Sequence, residues 1–115
     1  MNQILSCEIG TCPPSVNHYW VASGKRRYLS KRAKEFIQIV SLCTPKKRSA
    51  KRLKLDATLH FTDRRCRDID NHLKAILDAL VKAGLCVDDE QFDEIVVKRG
   101  SIIEGGLVEL IVWEL

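Results

Sequence analysis

Polar and apolar residues alternate through Leu5, Cys7 and Ile9, the period-two pattern of a strand with one buried face. Gly10 and the Pro13-Pro14-Ser15 break end it, and a loop carrying Tyr19, Trp20 and Lys25-Arg26-Arg27 is expected next. The period then changes. Ala33, Phe36, Ile37 and Val40 fall at i, i+3, i+4 and i+7, which predicts a helix with one apolar stripe, capped by Ser30 and bounded by Pro45. After a basic loop from Lys46 to Arg52, strict alternation through Leu53, Leu55, Ala57, Leu59 and Phe61 predicts a second half-buried strand. Leu73, Ile76, Leu77 and Leu80 mark a second helix, with Gly84 as its stop. Two apolar runs, Ile95 to Val97 and Leu107 to Trp113, flank Glu104-Gly105-Gly106 and read most simply as a β-hairpin. The pattern as a whole predicts an α+β fold in which a small mixed sheet packs against two main helices.

Length and composition narrow this without changing it. The 115 residues suit one domain spanning 1–115, with room for one modest core. With 45% hydrophobic and 30% charged residues, the chain reads as globular, neither disordered nor fibrous. No apolar run approaches the ~20 residues that span a bilayer, so no membrane role is expected. Met1 to Gly10 lacks the basic start and apolar core of a signal peptide, which makes the cytoplasm the expected location. The five cysteines, Cys7, Cys12, Cys43, Cys66 and Cys86, are odd in number and lack CxxC spacing, so neither a disulfide framework nor a zinc site is indicated. Cys66 stands among arginines that would favour a thiolate. A nucleophilic role would still need a partnered base, and none of His18, His60 and His72 is placed by sequence to serve.

Charge changes the picture more. The chain carries +4 overall, but Lys25 to Arg67 holds fifteen basic residues against Glu35, Asp56 and Asp63, a local excess of +12, and the remainder carries −8. A single run such as Lys46-Lys47-Arg48 is ordinarily a solvated surface. Several such runs in one half of a chain are the electrostatic footprint expected of a nucleic-acid partner.

The densest information lies at Arg64-Arg65-Cys66-Arg67-Asp68-Ile69-Asp70-Asn71, with Asp88-Asp89 some twenty residues on. If Arg64 to Ile69 is extended, Asp68 and Asp70 point to one face and can share a cation. Within the second helix, Lys74 and Asp78 lie about 40° and 80° round from Asp70 on a wheel of ~3.6 residues per turn, forming one polar ridge. Plain structural roles compete for each residue. Asp68, Asp70 or Asn71 suits a helix cap, Asp88 with Gln91 resembles a capping box, and Lys74 can pair with Asp70 and Asp78 as i, i+4 surface bridges. Capping explains one acid at each place and leaves the other unexplained.

Clustered carboxylates beside a basic surface suit phosphodiester cleavage. In-line attack loads negative charge onto the phosphoryl oxygens and the leaving alkoxide, and a hard divalent cation held by carboxylates offsets it while making hydroxide available near neutral pH. An amine such as that of Lys74 can hold the scissile phosphate or stabilise the same charge.

Arg65-Cys66-Arg67-Asp68-Ile69-Asp70-Asn71, Lys74, Asp78-Ala79-Leu80, Lys82-Ala83-Gly84 and Asp88-Asp89 together strongly resemble the RusA family of Holliday junction resolvases. Pro13-Pro14-Ser15-Val16-Asn17-His18-Tyr19 and Gly105-Gly106-Leu107-Val108-Glu109-Leu110 carry the likeness over most of the chain. The resemblance implies a homodimeric endodeoxyribonuclease that needs magnesium, with manganese as a substitute, and no organic cofactor. It implies paired nicks in opposed strands of four-way branched DNA during recombination and repair, often in a phage setting. It places the catalytic acids and metal ligands on Asp68, Asp70 and Asp89, and the functional lysine on Lys74. DNA contacts fall on Arg64, Arg65 and Arg67, with Cys66 standing where the family run is often basic. Val21 to Arg27 and Thr44 to Arg52 match poorly, so DNA contact by Lys25, Arg26, Arg27, Lys46, Lys47 and Arg48 follows from charge alone. Two other classes remain: a metal-dependent nuclease for flaps or forks, and a non-catalytic DNA-binding protein.

Overall fold

The computed structural model describes all 115 residues. In chain order it contains β1 (Asn2–Ile9), β2 (Trp20–Ser23), β3 (Arg26–Leu29), α1 (Lys31–Cys43), β4 (Leu53–His60), α2 (Leu73–Lys82), β5 (Phe92–Arg99) and β6 (Leu107–Glu114), with 3₁₀ turns at Val16–His18, Ile69–His72 and Asp89–Gln91. Four strands form a mixed sheet in the order β1-β6-β4-β5, and β2 and β3 make a separate two-stranded ribbon. The expected fold class is therefore present.

The strongest periodicities are borne out. Leu53, Leu55, Ala57 and Leu59 of β4 are fully buried while the residues between them are only half-buried, and Val108, Leu110 and Val112 do the same on β6. These faces join Ala33, Phe36 and Val40 of α1 and Ala75, Ile76, Ala79 and Leu80 of α2 in one core cluster of 22 residues. Ser30 caps α1, its hydroxyl accepting from the Ala33 amide at 3.1 Å. Past α2, Gly84 at φ +89° donates to the Val81 carbonyl at 3.0 Å and Leu85 donates to the Leu80 carbonyl at 3.1 Å. This is a Schellman ending, which favours a residue free to enter the left-handed region.

Three expectations fail. Phe92–Arg99 and Leu107–Glu114 are not a hairpin, because β4 lies between them, parallel to β5 and antiparallel to β6. Gly100 to Gly106 passes over the end of β4, where the Gly100 amide donates to the Leu59 carbonyl and the Ile103 amide to the Phe61 carbonyl. The segment expected as a loop around Trp20 and Lys25 is the β2–β3 hairpin, with Gly24 at φ +61° in the first central position of a two-residue turn. All of its β2 side chains are exposed, so it carries no burial pattern to read. Asp70 lies in the 3₁₀ turn Ile69–His72 ahead of α2, so the single helical ridge of Asp70, Lys74 and Asp78 is reduced to Lys74 and Asp78.

Candidate active site

The chain leaves β4 at His60, buries Phe61 and turns through an irregular segment into the 3₁₀ turn Ile69–His72. One acid orders this segment. Asp63 accepts from the Arg67 guanidinium at 2.6 Å and from the Arg65 amide at 3.0 Å, and these two bonds, in that order, hold its carboxyl below the usual range. Phe61 has a guanidinium carbon 5.2 Å from its ring centre on each of two residues, Arg67 and Arg99. Arg99 also donates to the Arg67 carbonyl at 2.6 Å. Arg67 is thus tied into the fold, whereas the Arg65 side chain is 82% exposed.

The far end of the turn is anchored by His72. Its buried ring donates from Nδ1 to the Pro13 carbonyl at 2.8 Å and packs 5.1 Å from Phe61. Burial lowers its pKa, the bond to Pro13 opposes this, and the neighbouring Arg67, Arg32 and Arg99 charges add to the lowering. Asp68 at the start of the turn has extended backbone (φ −87°, ψ 129°) and makes no side-chain cap. The α2 helix is capped from His72, also without a side-chain bond. Neither Asp68, Asp70 nor Asn71 therefore serves as the helix cap that the sequence left open.

On α2, Lys74 donates to Asp78 Oδ1 at 3.2 Å, and the buried Tyr19 hydroxyl donates to Asp78 Oδ2 at 2.7 Å. Burial, then the Asp78 carboxylate, raises the Tyr19 pKa, which keeps it a donor. Across the next turn, Asp88 and Gln91 form the expected capping box. Gln91 is nearly buried. It accepts from the Val87 and Asp88 amides and donates to the Ser49 and Lys51 carbonyls, all at 2.8–2.9 Å. Asp88 accepts from the Asp89 amide at 2.9 Å, so the cap consumes Asp88 and leaves the Asp89 carboxylate free.

Sorting all eight aspartates by partner gives one clear division. Asp56 pairs with Lys98, Asp63 with Arg67, Asp78 with Tyr19 and Lys74, and Asp93 with Arg52, while Asp88 caps its turn. The three whose carboxylates receive no hydrogen bond or cation from the chain are Asp68, Asp70 and Asp89. Unpaired carboxylate oxygens are the donor chemistry a hard divalent cation requires. Their geometry is not closed: no group of three or more His, Cys, Asp or Glu side chains stands ready to hold one ion.

A cleft of about 480 Å³ opens here, its lining including His18, Arg32, Arg65, Arg67, Asp68 and Asn71. Asp70, Lys74 and Asp89 do not line it. Sequence alone assigned Arg32 and Arg99 no particular role; the fold brings Arg32 to the cleft lining and sets Arg99 over Phe61 and against the Arg67 carbonyl. The Lys46–Arg48 loop is tied to the end of α2 instead, the Arg48 and Ser49 amides donating to the Gly84 and Leu85 carbonyls. Lys47 lies 3.8 Å from the buried Glu114, and Lys46 and Arg48 line a second concavity beside Lys82 and Gly84. Lys25, Arg26 and Arg27 are exposed at the tip of the β2–β3 hairpin. All five cysteines are free, and no helix is long and apolar enough to cross a membrane.

Comparison with known proteins accords with this arrangement. A family model described as Endodeoxyribonuclease RusA matches residues 10–110. The crossover junction endodeoxyribonuclease of Enterobacteria phage HK97 is 39% identical over 107 residues, covering 90% of this chain and 89% of the relative. Proteins of the same name from Escherichia coli K12 and Enterobacteria phage 82 are each 33% identical over the same extents. With the family pattern running through nearly the whole sequence, the chain belongs to the RusA family.

Proposed function

We infer that this protein is an endodeoxyribonuclease that resolves Holliday junctions, the activity for which its relatives are named. The observation that carries the reading to residues is the partner inventory: Asp68, Asp70 and Asp89 alone among the aspartates are unengaged, and Asp68 lines an arginine-lined cleft. In a folded chain with 19 Lys and Arg, carboxylates left without a cation are available to a metal and would otherwise only repel DNA.

Asp68, Asp70 and Asp89 would hold a divalent ion, magnesium or manganese in its place. When bound, such an ion supplies positive charge for the phosphoryl oxygens and a water of lowered pKa. Lys74, kept on one side of α2 by Asp78, presents its ammonium to the scissile phosphate and stabilises charge developing there. Arg65, its side chain 82% exposed, and the exposed Arg64 beside it grip the backbone. Arg67 shapes the cleft wall through Asp63 and Phe61 as well as offering charge. Lys25, Arg26, Arg27, Lys46, Lys47 and Arg48 extend the basic surface along the DNA arms. Residues 1–115 act as one unit, and two copies related by a two-fold axis present one site to each opposed strand.

The test is cleavage of a mobile synthetic four-way junction with magnesium, mapping the nicks on all four strands. Paired nicks at symmetric positions on opposed strands are the expected result. Preferential cutting of flaps or forks would move the substrate, and binding without cutting at any metal concentration would remove the enzyme.

A further inference from the structure

Carboxylates, a metal and arginines meet features common to every duplex, so they cannot separate a branch from a linear helix. A branch differs at its centre, where helical stacking is interrupted and base faces become available. An element with matching chemistry grows from the cleft wall. His18 lines the cleft, and Trp20 begins the β2–β3 hairpin two residues later.

The register of this hairpin places Trp20, Ala22, Arg27 and Leu29 on one face and Val21, Ser23, Arg26 and Tyr28 on the other. Each face therefore carries one aromatic ring and one arginine. Trp20 is 41% exposed and Tyr28 45%. The Arg27 guanidinium lies 5.2 Å from the Trp20 ring centre, pre-ordering that pair. No acid occurs between Thr11 and Lys34, so a polyanion would meet no opposing charge along the ribbon.

A two-stranded ribbon is marginal alone, and this one is clamped at its root. Ser30 donates from its amide to the Tyr19 carbonyl at 2.9 Å and from its hydroxyl to the His18 carbonyl at 2.6 Å. The buried Tyr19 ring meets Trp20 edge-on at 5.5 Å, and its hydroxyl bonds to Asp78, the partner of Lys74. The root of the hairpin is thereby tied to the partner of the lysine assigned to the scissile phosphate.

We propose that the β2–β3 hairpin reads the branch: Trp20 and Tyr28 stack on the base faces exposed where helical stacking breaks at the centre of four-way DNA, while Lys25, Arg26 and Arg27 hold the flanking phosphates. This rests on the junction-resolving reading above. Stacking is indifferent to base identity, since every base has an aromatic face, so the hairpin selects structure and leaves sequence preference to other contacts.

The experiment titrates Asp70→Asn protein, expected to bind without cutting, against a four-way junction carrying 2-aminopurine at its centre and against linear duplex. Protein with Trp20 and Tyr28 intact is expected to quench the 2-aminopurine signal. Trp20→Ala and Tyr28→Ala each lose about tenfold or more in junction affinity, the scale of one lost base stack, and most of the quenching. Linear-duplex affinity, carried by the cations, changes less than about twofold. Trp20→Phe restores most of the junction affinity because a smaller ring still stacks. Equal losses on both DNAs, or an unchanged quench, overturn the proposal. So does a loss that accompanies dissociation into monomers by light scattering, which would make the hairpin a contact between copies. If the intact protein shows no preference for the junction, the proposed function falls together with the hairpin's role. If a preference exists and survives both alanine variants, only the hairpin's role falls.

Discussion

Two acidic turns bracket α2 and are built on the same division of labour from different parts. Before the helix, Asp63 is spent on order, pinning Arg67 and the Arg65 amide, and Asp68 and Asp70 are left free. After it, Asp88 is spent on a capping box with Gln91, and Asp89 is left free. Each turn thus uses one carboxylate to fix the backbone that presents another. The difference lies in the source of rigidity around the free acid: side-chain charge pairs at a partly exposed surface in the first, where only the far end has a buried anchor in His72, and a buried amide network in the second. Rigidity from buried hydrogen bonds is costly to break, whereas exposed ion pairs contribute little and yield to salt and pH. The first turn is accordingly the one better able to shift, as the proposed sharing of a cation with Asp89 would require.

The sharpest way to break the comparison is to exchange the free and the spent acids. Asp70→Asn and Asp89→Asn should each cut magnesium-dependent junction cleavage by roughly two to three orders of magnitude, the scale of losing one group that stabilises developing charge. Both variants should melt like the parent, because neither carboxylate has a partner to lose. Junction affinity should hold or rise as a charge facing phosphate disappears. Cleavage assays and thermal unfolding on the same preparations check this, and retained cleavage by Asp70→Asn would remove that residue from the site. Chelation of the metal should abolish cleavage by the parent and leave binding intact.

Next in size is Gln91→Leu. It strips two carbonyls and two amides of their partner in a site only 6% exposed, at a cost of about 2–3 kcal/mol. The melting temperature falls, and cleavage falls with it even well below the melt, since Asp89 loses its support. Asp88→Ala is gentler, about 1 kcal/mol for a lost cap, and should keep most cleavage because Gln91 still holds the turn. A larger catalytic loss for Asp88→Ala than for Asp89→Asn would exchange the two roles.

How much of this was legible depended on burial. The β4 and α1 patterns could be read because one face of each is sealed in the core, which fixes the period. Asp88 with Gln91 could be read because a capping box is local, within four residues. The β2–β3 hairpin could not, with both faces in water, although Gly24-Lys25 is an acceptable two-residue turn in hindsight. Nor could the partner of β6. Its alternation suits any neighbour, and the insertion of β4 between β5 and β6 is set by the long crossover through α2. At the site, family likeness singled out Asp68, Asp70 and Asp89, while the structure adds that these three are the unpartnered ones. The roles of Arg99 and Tyr19 were hidden because each acts across the fold, on residues that spelling does not connect to it. Asp63 bonds to Arg67 only four residues on, but the irregular segment between them has no period from which that pairing can be read.

The smallest effect tests the exposed half of the comparison through pH. In the folded chain Arg67, and then the Arg65 amide, hold the Asp63 carboxyl below its ordinary value of 3.8. A lowered folded pKa means that the stabilisation is fully present above the unfolded value and is lost as pH falls through the folded one. Asp63→Asn cannot form the charged bond, so its stability deficit relative to the parent should be constant from about pH 7 to pH 5 and close below about pH 4. Because the Asp63 side chain is 42% exposed, the deficit should also shrink in high salt. Unfolding curves across that pH range, at low and high salt, measure it directly. A deficit that persists unchanged in acid would mean that the segment is held by the packing of Arg67 on Phe61 and by the Arg65 amide, with charge irrelevant. The two turns would then differ in exposure alone, and the ease of shifting inferred for the first would have no electrostatic basis.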